Sequence, residues 1–442
     1  MSTPSTRPPR FVSTRAPAGD RVDLATALRR GLAPDGGLYV PERVPPIDPA
    51  WREAPSLAAA AAAVLRPFLP LSDADAWLAD VDAALDFPVP LRRLDDATWL
   101  LELFHGPTRA FKDVAARVLG RWWGRLLATE GGRAVVLVAT SGDTGGAVVD
   151  GMAGIPGLDV VVLFPDRGVS PIQRAQLTAV RPRVHAFAVA GAFDDAQRLV
   201  KEAFRDPELA DVPLTSANSI NLGRWLPQAS FHVWGLAQLA RAGVDPAEAV
   251  VVVPSGNLGD LVAGLYAAAM GAAPAGFVAA HNANAYLVER LAGLRAPYAF
   301  PATVATASNA MDVGAPSNFE RLEKLWGDAT PVPLRAERVD DEATLARMAL
   351  TWREAGVLVC PHTAVGLEAA ARDRAARGDD AARLVLATAH PAKFPEVVAR
   401  ALPGVVAHDE QLERWRDAPK RERPLAPTLD ALRVALREAL PD

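Results

Sequence analysis

Two kinds of apolar spacing divide this chain. From about residue 91 onward, short runs that are apolar on both faces recur at 99–103, 134–139, 160–164, 184–189, 249–253, 276–280 and 384–387. Most are Val-rich, the pattern expected of strands buried in a parallel sheet. Helical spacing fills the intervals, which predicts a doubly wound α/β protein with mostly parallel sheets. Before residue 91 the pattern is different. Residues 11–15 read as a strand, 23–30 as an amphipathic helix, and the tight turn from Gly31 to Gly37 leads into a second strand. Two Ala/Leu-rich helices follow, over roughly 53–67 and 73–85, and Phe87-Pro88-Val89-Pro90 closes a mainly helical N-terminal domain, 1–90. Thr330–Pro333 and Pro424–Pro427 predict loops.

Composition narrows the class. Of 442 residues, half are apolar and 22% are charged, which is ordinary for a soluble globular enzyme. A net charge of −5 gives no basic footprint for nucleic acid. The single cysteine, Cys360, excludes an internal disulfide and a cysteine-built metal site, and fits a reducing compartment. The first ten residues lack the apolar core of a signal peptide, and the longest apolar run, 57–65, is too short to span a bilayer. The expectation is a cytoplasmic protein with no membrane or nucleic-acid partner. No histidine has a paired ligand at metal spacing, so no metal is expected.

Candidate chemistry begins at His105–Asp113 (HGPTRAFKD). Gly106-Pro107 marks a turn, Thr108 is a candidate N-cap, and apolar residues at helical spacing run on from Phe111 to Leu126. Lys112 would stand at the helix entrance, where dipole and desolvation both favour its uncharged form. An uncharged amine attacks an aldehyde, so Lys112 is the candidate nucleophile. Only five of the 47 cationic side chains are lysines (112, 201, 324, 393 and 420), and arginine cannot form an imine.

Three polar loops leave predicted strand ends, where open α/β sheets bind ligands. Thr140–Gly146 (TSGDTGG) is either an anion site at a helix entrance or a capped turn. Pro254–Asp260 (PSGNLGD) places two glycines three apart at a helix N-terminus, which suits a phosphate but matches neither the dinucleotide fingerprint nor a P-loop. Thr388–Glu396 (TAHPAKFPE) carries a hydroxyl and an imidazole, with His390 either a buried ring bonded to backbone or a site residue. An aldehyde, a phosphate and a ring nitrogen on one cofactor would use the amine, the anion loops and the hydroxyl together. Pyridoxal phosphate has all three.

These motifs, with Gly31–Glu42 (GLAPDGGLYVPE), Asn218–Gln228 (NSINLGRWLPQ), Asp312–Leu322 (DVGAPSNFERL) and Pro361–Gly366 (PHTAVG), resemble the threonine synthase family over nearly the whole chain. That family belongs to the pyridoxal-phosphate fold type II group. The resemblance implies a catalytic region, 91–442, of two α/β lobes, the smaller over roughly 114–230 and the larger from the remainder. It implies that Lys112 is the Schiff-base lysine, that Gly256, Asn257, Leu258, Gly259 and Asp260 cradle the cofactor phosphate, and that Thr388 meets the pyridine nitrogen. Ser141, Gly142, Asp143 and Thr144 would face the substrate carboxylate. Ser317, Asn318 and Arg321, with Asn221 and Arg224, are the candidates for the phosphate of O-phospho-L-homoserine.

Five positions depart from the family pattern: Ala16, Leu222, Leu258, Ala315 and Cys360. Leu222 and Ala315 lie in the proposed substrate motifs and bear on substrate more than cofactor. The alternatives are a phospho-lyase on the same scaffold, releasing a 2-oxo acid and ammonia, and a catalytically inactive binding paralogue. The expected assembly is a monomer or small homo-oligomer.

Overall fold

Central strands of a parallel sheet are covered on both faces, so they need side chains that can be buried on both. The Val-rich runs meet that need. The computed structural model describes residues 7–16, 18–140, 142–327 and 329–440. Its larger sheet runs, in spatial order, Leu334–Arg338, Gly276–His281, Val250–Pro254, Arg383–Ala387, Thr98–Glu102 and Leu91–Arg93. All neighbours are parallel except the last pair. A smaller sheet runs Arg423–Leu425, Val184–Val189, Leu158–Pro165, Ala134–Ala139 and Leu214–Thr215, parallel throughout.

Side-chain alternation splits each central strand between two cores. Val251, Val253, Leu384 and Leu386 join one large cluster, while Val250, Val252 and Val385 pack on the other face with Ala364, Val365 and Ala369 of the helix Pro361–Arg377. In the smaller sheet Val136, Val138, Val160 and Val162 share the large cluster, and Val135, Leu137, Val161 and Leu163 face the C-terminal helix Leu429–Ala439. Each such side chain contributes about 1.5–3 kcal/mol on burial. The fold is α/β with doubly wound, mostly parallel sheets. Among the described residues no helix is long and apolar enough to cross a membrane.

The N-terminal segment packs into the same interior. Phe11–Ser13 pairs antiparallel with Tyr39–Pro41, and Phe11 stacks on Phe68, which in turn meets Tyr266. The Ile47 amide donates to the Met270 carbonyl at 2.8 Å, tying the segment after Tyr39–Pro41 to the end of the helix Gly259–Met270.

Pro424–Pro427, expected as a loop, instead begins within a strand: Arg423–Leu425 pairs with Phe187–Val189. It is the outermost strand of its sheet, where a proline without an N–H is tolerated. The C-terminal segment therefore joins the smaller sheet.

Strand order reverses once in each sheet. In the larger it reverses between Val250–Pro254 and Arg383–Ala387, and in the smaller between Ala134–Ala139 and Leu214–Thr215. The crevice beyond such a reversal is where open α/β sheets bind ligands. The three polar loops that begin at Thr140, Ser255 and Thr388 leave the strands at these two points.

Candidate active site

Lys112 is the first residue of the helix Lys112–Glu130. The turn before it is held by a carboxylate rather than by an N-cap hydroxyl. Asp113 accepts from the Thr108 amide (2.9 Å) and from the Thr108 hydroxyl, so Thr108 donates to a side chain and caps nothing. Gly106 lies so close to Asp113 that a Cβ there would overlap its carboxylate. The Phe111 amide donates to the Thr388 carbonyl at 2.8 Å, and the His390 amide to the Arg109 carbonyl at 3.0 Å. These bonds fix Lys112 beside Thr388.

The lysine opens onto a cavity of about 180 Å³ whose lining includes Thr140, Asp143, Thr144, Gly256, Asn257, Gly259, Asp260, Ser317 and Thr388. Burial first, and the Arg224 guanidinium second, push the Lys112 pKa down to about 8, against the opposing pull of Asp260 and Asp143. Its Nζ sits 4.3 Å from the centre of the Phe111 ring.

The Pro254–Asp260 loop wraps the adjoining wall. Gly256 approaches the backbone of Met311 so closely that a Cβ would lie 2.7 Å from its Cα. Leu258 adopts the left-handed conformation (φ 61°) at the entrance to the helix Gly259–Met270, and its side chain is fully buried in the core. An apolar residue therefore fits this position, because only its backbone belongs to the loop. Asn257 bridges two further loops, donating to Ser219 Oγ and accepting from the Ser317 amide. Asp260 accepts from Ser255 and from the Leu261 amide.

On the opposite wall the Thr140 hydroxyl accepts from the amides of Gly142 (3.0 Å) and Gly145 (2.9 Å), the geometry of a capped turn. Asp143 is bound by Lys393 Nζ at 2.8 Å and Gln173 Nε2 at 3.0 Å. Lys393, fully buried, also donates to the Thr108 carbonyl at 2.7 Å. Ser141 lies outside the described residues.

Four candidate residues stand behind the wall rather than on it. Asn221 binds the carbonyls of Leu28 and Ser216 and accepts from the Gly223 amide. Arg224 binds the Ala217 carbonyl. Arg321 binds the carbonyls of Ser219, Ile220 and Tyr39 together with Asn318 Oδ1. Burial lowers the pKa of Arg224 to about 10 and that of Arg321 to about 9. These groups shape the loop 216–221 and place positive charge behind it. His390 likewise serves the backbone: its Nδ1 accepts from the Ala392 amide at 3.2 Å. Of the departures from the family pattern, Leu222 is buried core, Ala315 lines the cavity, and the Cys360 sulfur caps the helix Pro361–Arg377 by accepting from the Thr363 amide.

The sequence reading assigned no role to Lys393, Asn218, Gln228 or His362. The last three line the cavity and each carries a buried polar atom with no partner among the described residues. Unpaired buried groups are uncommon in native proteins. With a low-pKa amine, glycine-lined backbone and two helix N-termini, this lining fits a phosphorylated aldehyde with further polar atoms.

The family comparisons agree with that chemistry. A family model described as "Pyridoxal-phosphate dependent enzyme" matches residues 85–388, "Threonine synthase N terminus" matches 10–80, and "Threonine synthase, C-terminal" matches 363–435. The chain is 37% identical to the threonine synthase of Escherichia coli over 94% of this chain and 96% of the relative. It is 35% identical to that of Pseudomonas aeruginosa over 90% and 92%. The crystal structure of the Escherichia coli enzyme superposes with a TM-score of 0.88 at 34% identity, covering 98% of this chain and all of that one. A pyridoxal-phosphate-bound threonine synthase from Brucella melitensis gives 0.86 at 33% identity, covering 98% and 99%. With all three family models in order along its length, the chain belongs to the threonine synthase family of pyridoxal-phosphate-dependent enzymes.

Proposed function

We propose that the chain converts O-phospho-L-homoserine and water to L-threonine and inorganic phosphate. The observation that carries this reading is the Lys112 amine, held at low pKa where the strand-end loops of both sheets converge. In the overall change the Cγ–O bond breaks and phosphate leaves, Cγ gains a proton to become a methyl group, and Cβ loses a proton and gains hydroxyl from water. When bound, pyridoxal phosphate supplies an aldehyde for amine condensation and a ring that draws electron density from the α-carbon.

The residues divide the remaining work. Lys112 Nζ, mostly free of its proton a little above pH 8, acts as general base at the α-carbon. Gly256, Asn257, Leu258, Gly259 and Asp260 would hold the cofactor phosphate through backbone amides at the N-terminus of the helix Gly259–Met270. Thr388, which lines the cavity, would meet the ring nitrogen through its hydroxyl, an uncharged partner that, unlike a carboxylate, would not favour a protonated nitrogen. Gly142, Asp143 and Thr144, at the N-terminus of the helix Asp143–Met152, receive the substrate carboxylate together with Ser141, which lies outside the described residues. Ser317 contacts the substrate phosphate directly. Asn221, Arg224, Asn318 and Arg321 support that subsite from behind, since their side chains bind backbone and one another.

The family models break between residues 80 and 85, which supports an N-terminal domain of 1–90 and a catalytic region of 91–442. The smaller lobe, 114–230, then also takes in the C-terminal strand that pairs with it. A single buried thiol supports a cytoplasmic setting. Incubation with O-phospho-L-homoserine tests the reaction: threonine is the expected product, and 2-oxobutanoate with ammonia would replace this reading with a phospho-lyase. Lys112→Ala is expected to lose turnover by at least a thousandfold.

A further inference from the structure

We propose that His362 is a ligand-binding residue of this cavity, its Nδ1–H donating a hydrogen bond to an acceptor oxygen of the bound cofactor or amino acid. The inference rests on the reading of the cavity given above and adds a donor which that reading does not use.

His362 is the second residue of the helix Pro361–Arg377 and is 2% exposed. Its ring packs against Phe394 at 4.8 Å and lines the same cavity as Lys112, Asp143 and Thr388. The Ala310 amide donates to its Nε2 at 3.1 Å. An N–H cannot donate to a protonated ring nitrogen, so Nε2 carries the lone pair. In a neutral imidazole the proton is then on Nδ1. Burial lowers the ring's pKa to about 4, which keeps it neutral at physiological pH and makes it a fixed donor rather than an acid–base group.

Nδ1 has no hydrogen-bond partner among the described residues. A buried donor left unpaired is costly, and most such groups in native proteins are satisfied by some partner. The nearby carboxylate of Asp143 is engaged by Lys393 and Gln173. No acceptor among the described residues lies within hydrogen-bond reach of Nδ1, so its acceptor comes from what enters the cavity: the ring hydroxyl oxygen of pyridoxal, or a carboxylate oxygen of the amino acid. A neutral donor can hold either oxygen without titrating during turnover.

Two amide substitutions separate binding from support of the Ala310 turn. In His362→Gln the side-chain oxygen reaches the Nε2 position and still accepts from Ala310, but no donor remains at Nδ1. In His362→Asn the amide nitrogen occupies the Nδ1 position and the Ala310 contact is lost. Four quantities are measured for each: cofactor affinity by absorbance titration of the cofactor-free protein, KM and kcat for O-phospho-L-homoserine, and the Tm of the cofactor-free protein. His362→Gln is expected to keep its Tm and to weaken ligand binding by about tenfold. A weaker cofactor affinity identifies the ring oxygen as acceptor; a raised KM with unchanged cofactor affinity identifies the amino acid. His362→Asn is expected to bind within about threefold of wild type while its Tm falls. The reverse order, or ligand binding unchanged in both variants, overturns the proposal. Wild-type protein that takes up no cofactor would instead overturn the underlying reading, and this inference with it.

Discussion

Lys112 is a cation placed where a cation is poorly solvated, beside the equally buried Arg224. Both effects favour the free amine. At pH 7 a lysine of pKa about 8 is roughly one-tenth unprotonated, against well under one in a thousand at the ordinary value. Uptake of cofactor by the cofactor-free protein should therefore quicken about tenfold per pH unit below 8 and level off near 8. Stopped-flow absorbance between pH 6 and 10 tests this, and a rate still climbing at pH 10 would contradict it. A stability change follows from the same shift. The folded state releases this proton near 8 and the unfolded state near 10.5, so the unfolded chain binds more protons in between and stability rises with pH there. Below pH 8 the full penalty is present. Lys112→Met should stabilise the cofactor-free protein by roughly 3 kcal/mol at pH 7 and by progressively less toward pH 10 in denaturant titrations. Lysine scarcity and helix position single out Lys112 in the sequence, but Arg224 behind it is not legible there. The family resemblance suggests substrate-phosphate contacts at Arg224 and Arg321. Both instead hold carbonyl oxygens, because side-chain direction depends on packing that no local pattern encodes.

At the level of elements, what the pattern of apolar residues reveals depends on whether a strand is central. The seven short apolar runs all become strands. The strands it does not reveal are Leu91–Arg93, Leu214–Thr215, Leu334–Arg338 and Arg423–Leu425, and these are the four edges of the six- and five-stranded sheets. An edge strand is partly solvated and carries charge or proline to discourage further pairing, so it never shows a continuous apolar run. The turn before Lys112 is a different case. Gly106-Pro107 is legible as a turn, but its closure by Asp113 and its stitching to residues 388–390 are long-range. Gly106→Ala tests how much that closure matters. The added methyl overlaps the Asp113 carboxylate, whose bonds to Thr108 must then stretch or break. A loss of about 2–3 kcal/mol in stability and at least tenfold in kcat is expected. Unchanged kcat would mean that the lysine is positioned by its helix alone.

Across the whole molecule the two lobes meet at a buried ion pair. Asp143 begins a helix beside the smaller sheet, and Lys393 follows the last strand of the larger one. Lys393 also binds the Thr108 carbonyl, and Ser170 Oγ donates to the Lys393 carbonyl at 3.2 Å. One amine thus joins the lysine turn, the smaller lobe and the loop carrying Thr388. Burial by itself would raise the pKa of Asp143, but Lys393 and Gln173 hold it below the ordinary carboxylate value. A carboxylate with a depressed folded pKa contributes stability above its unfolded pKa, and that contribution is lost as pH falls through the folded one. In Lys393→Met the compensating charge is gone and burial dominates, so the sign reverses: the unpaired carboxylate is a penalty at neutral pH that protonation relieves. Breaking one side of a buried pair costs about 3–5 kcal/mol. The variant should lose that much at pH 8, and its deficit relative to wild type should narrow by pH 5. Asp143→Asn combined with Lys393→Met should recover most of it, because neither partner is then left charged. Guanidinium titrations of the three proteins at both pH values decide the matter. A deficit independent of pH would locate the role of Lys393 in its contact with Thr108 instead of its charge on Asp143.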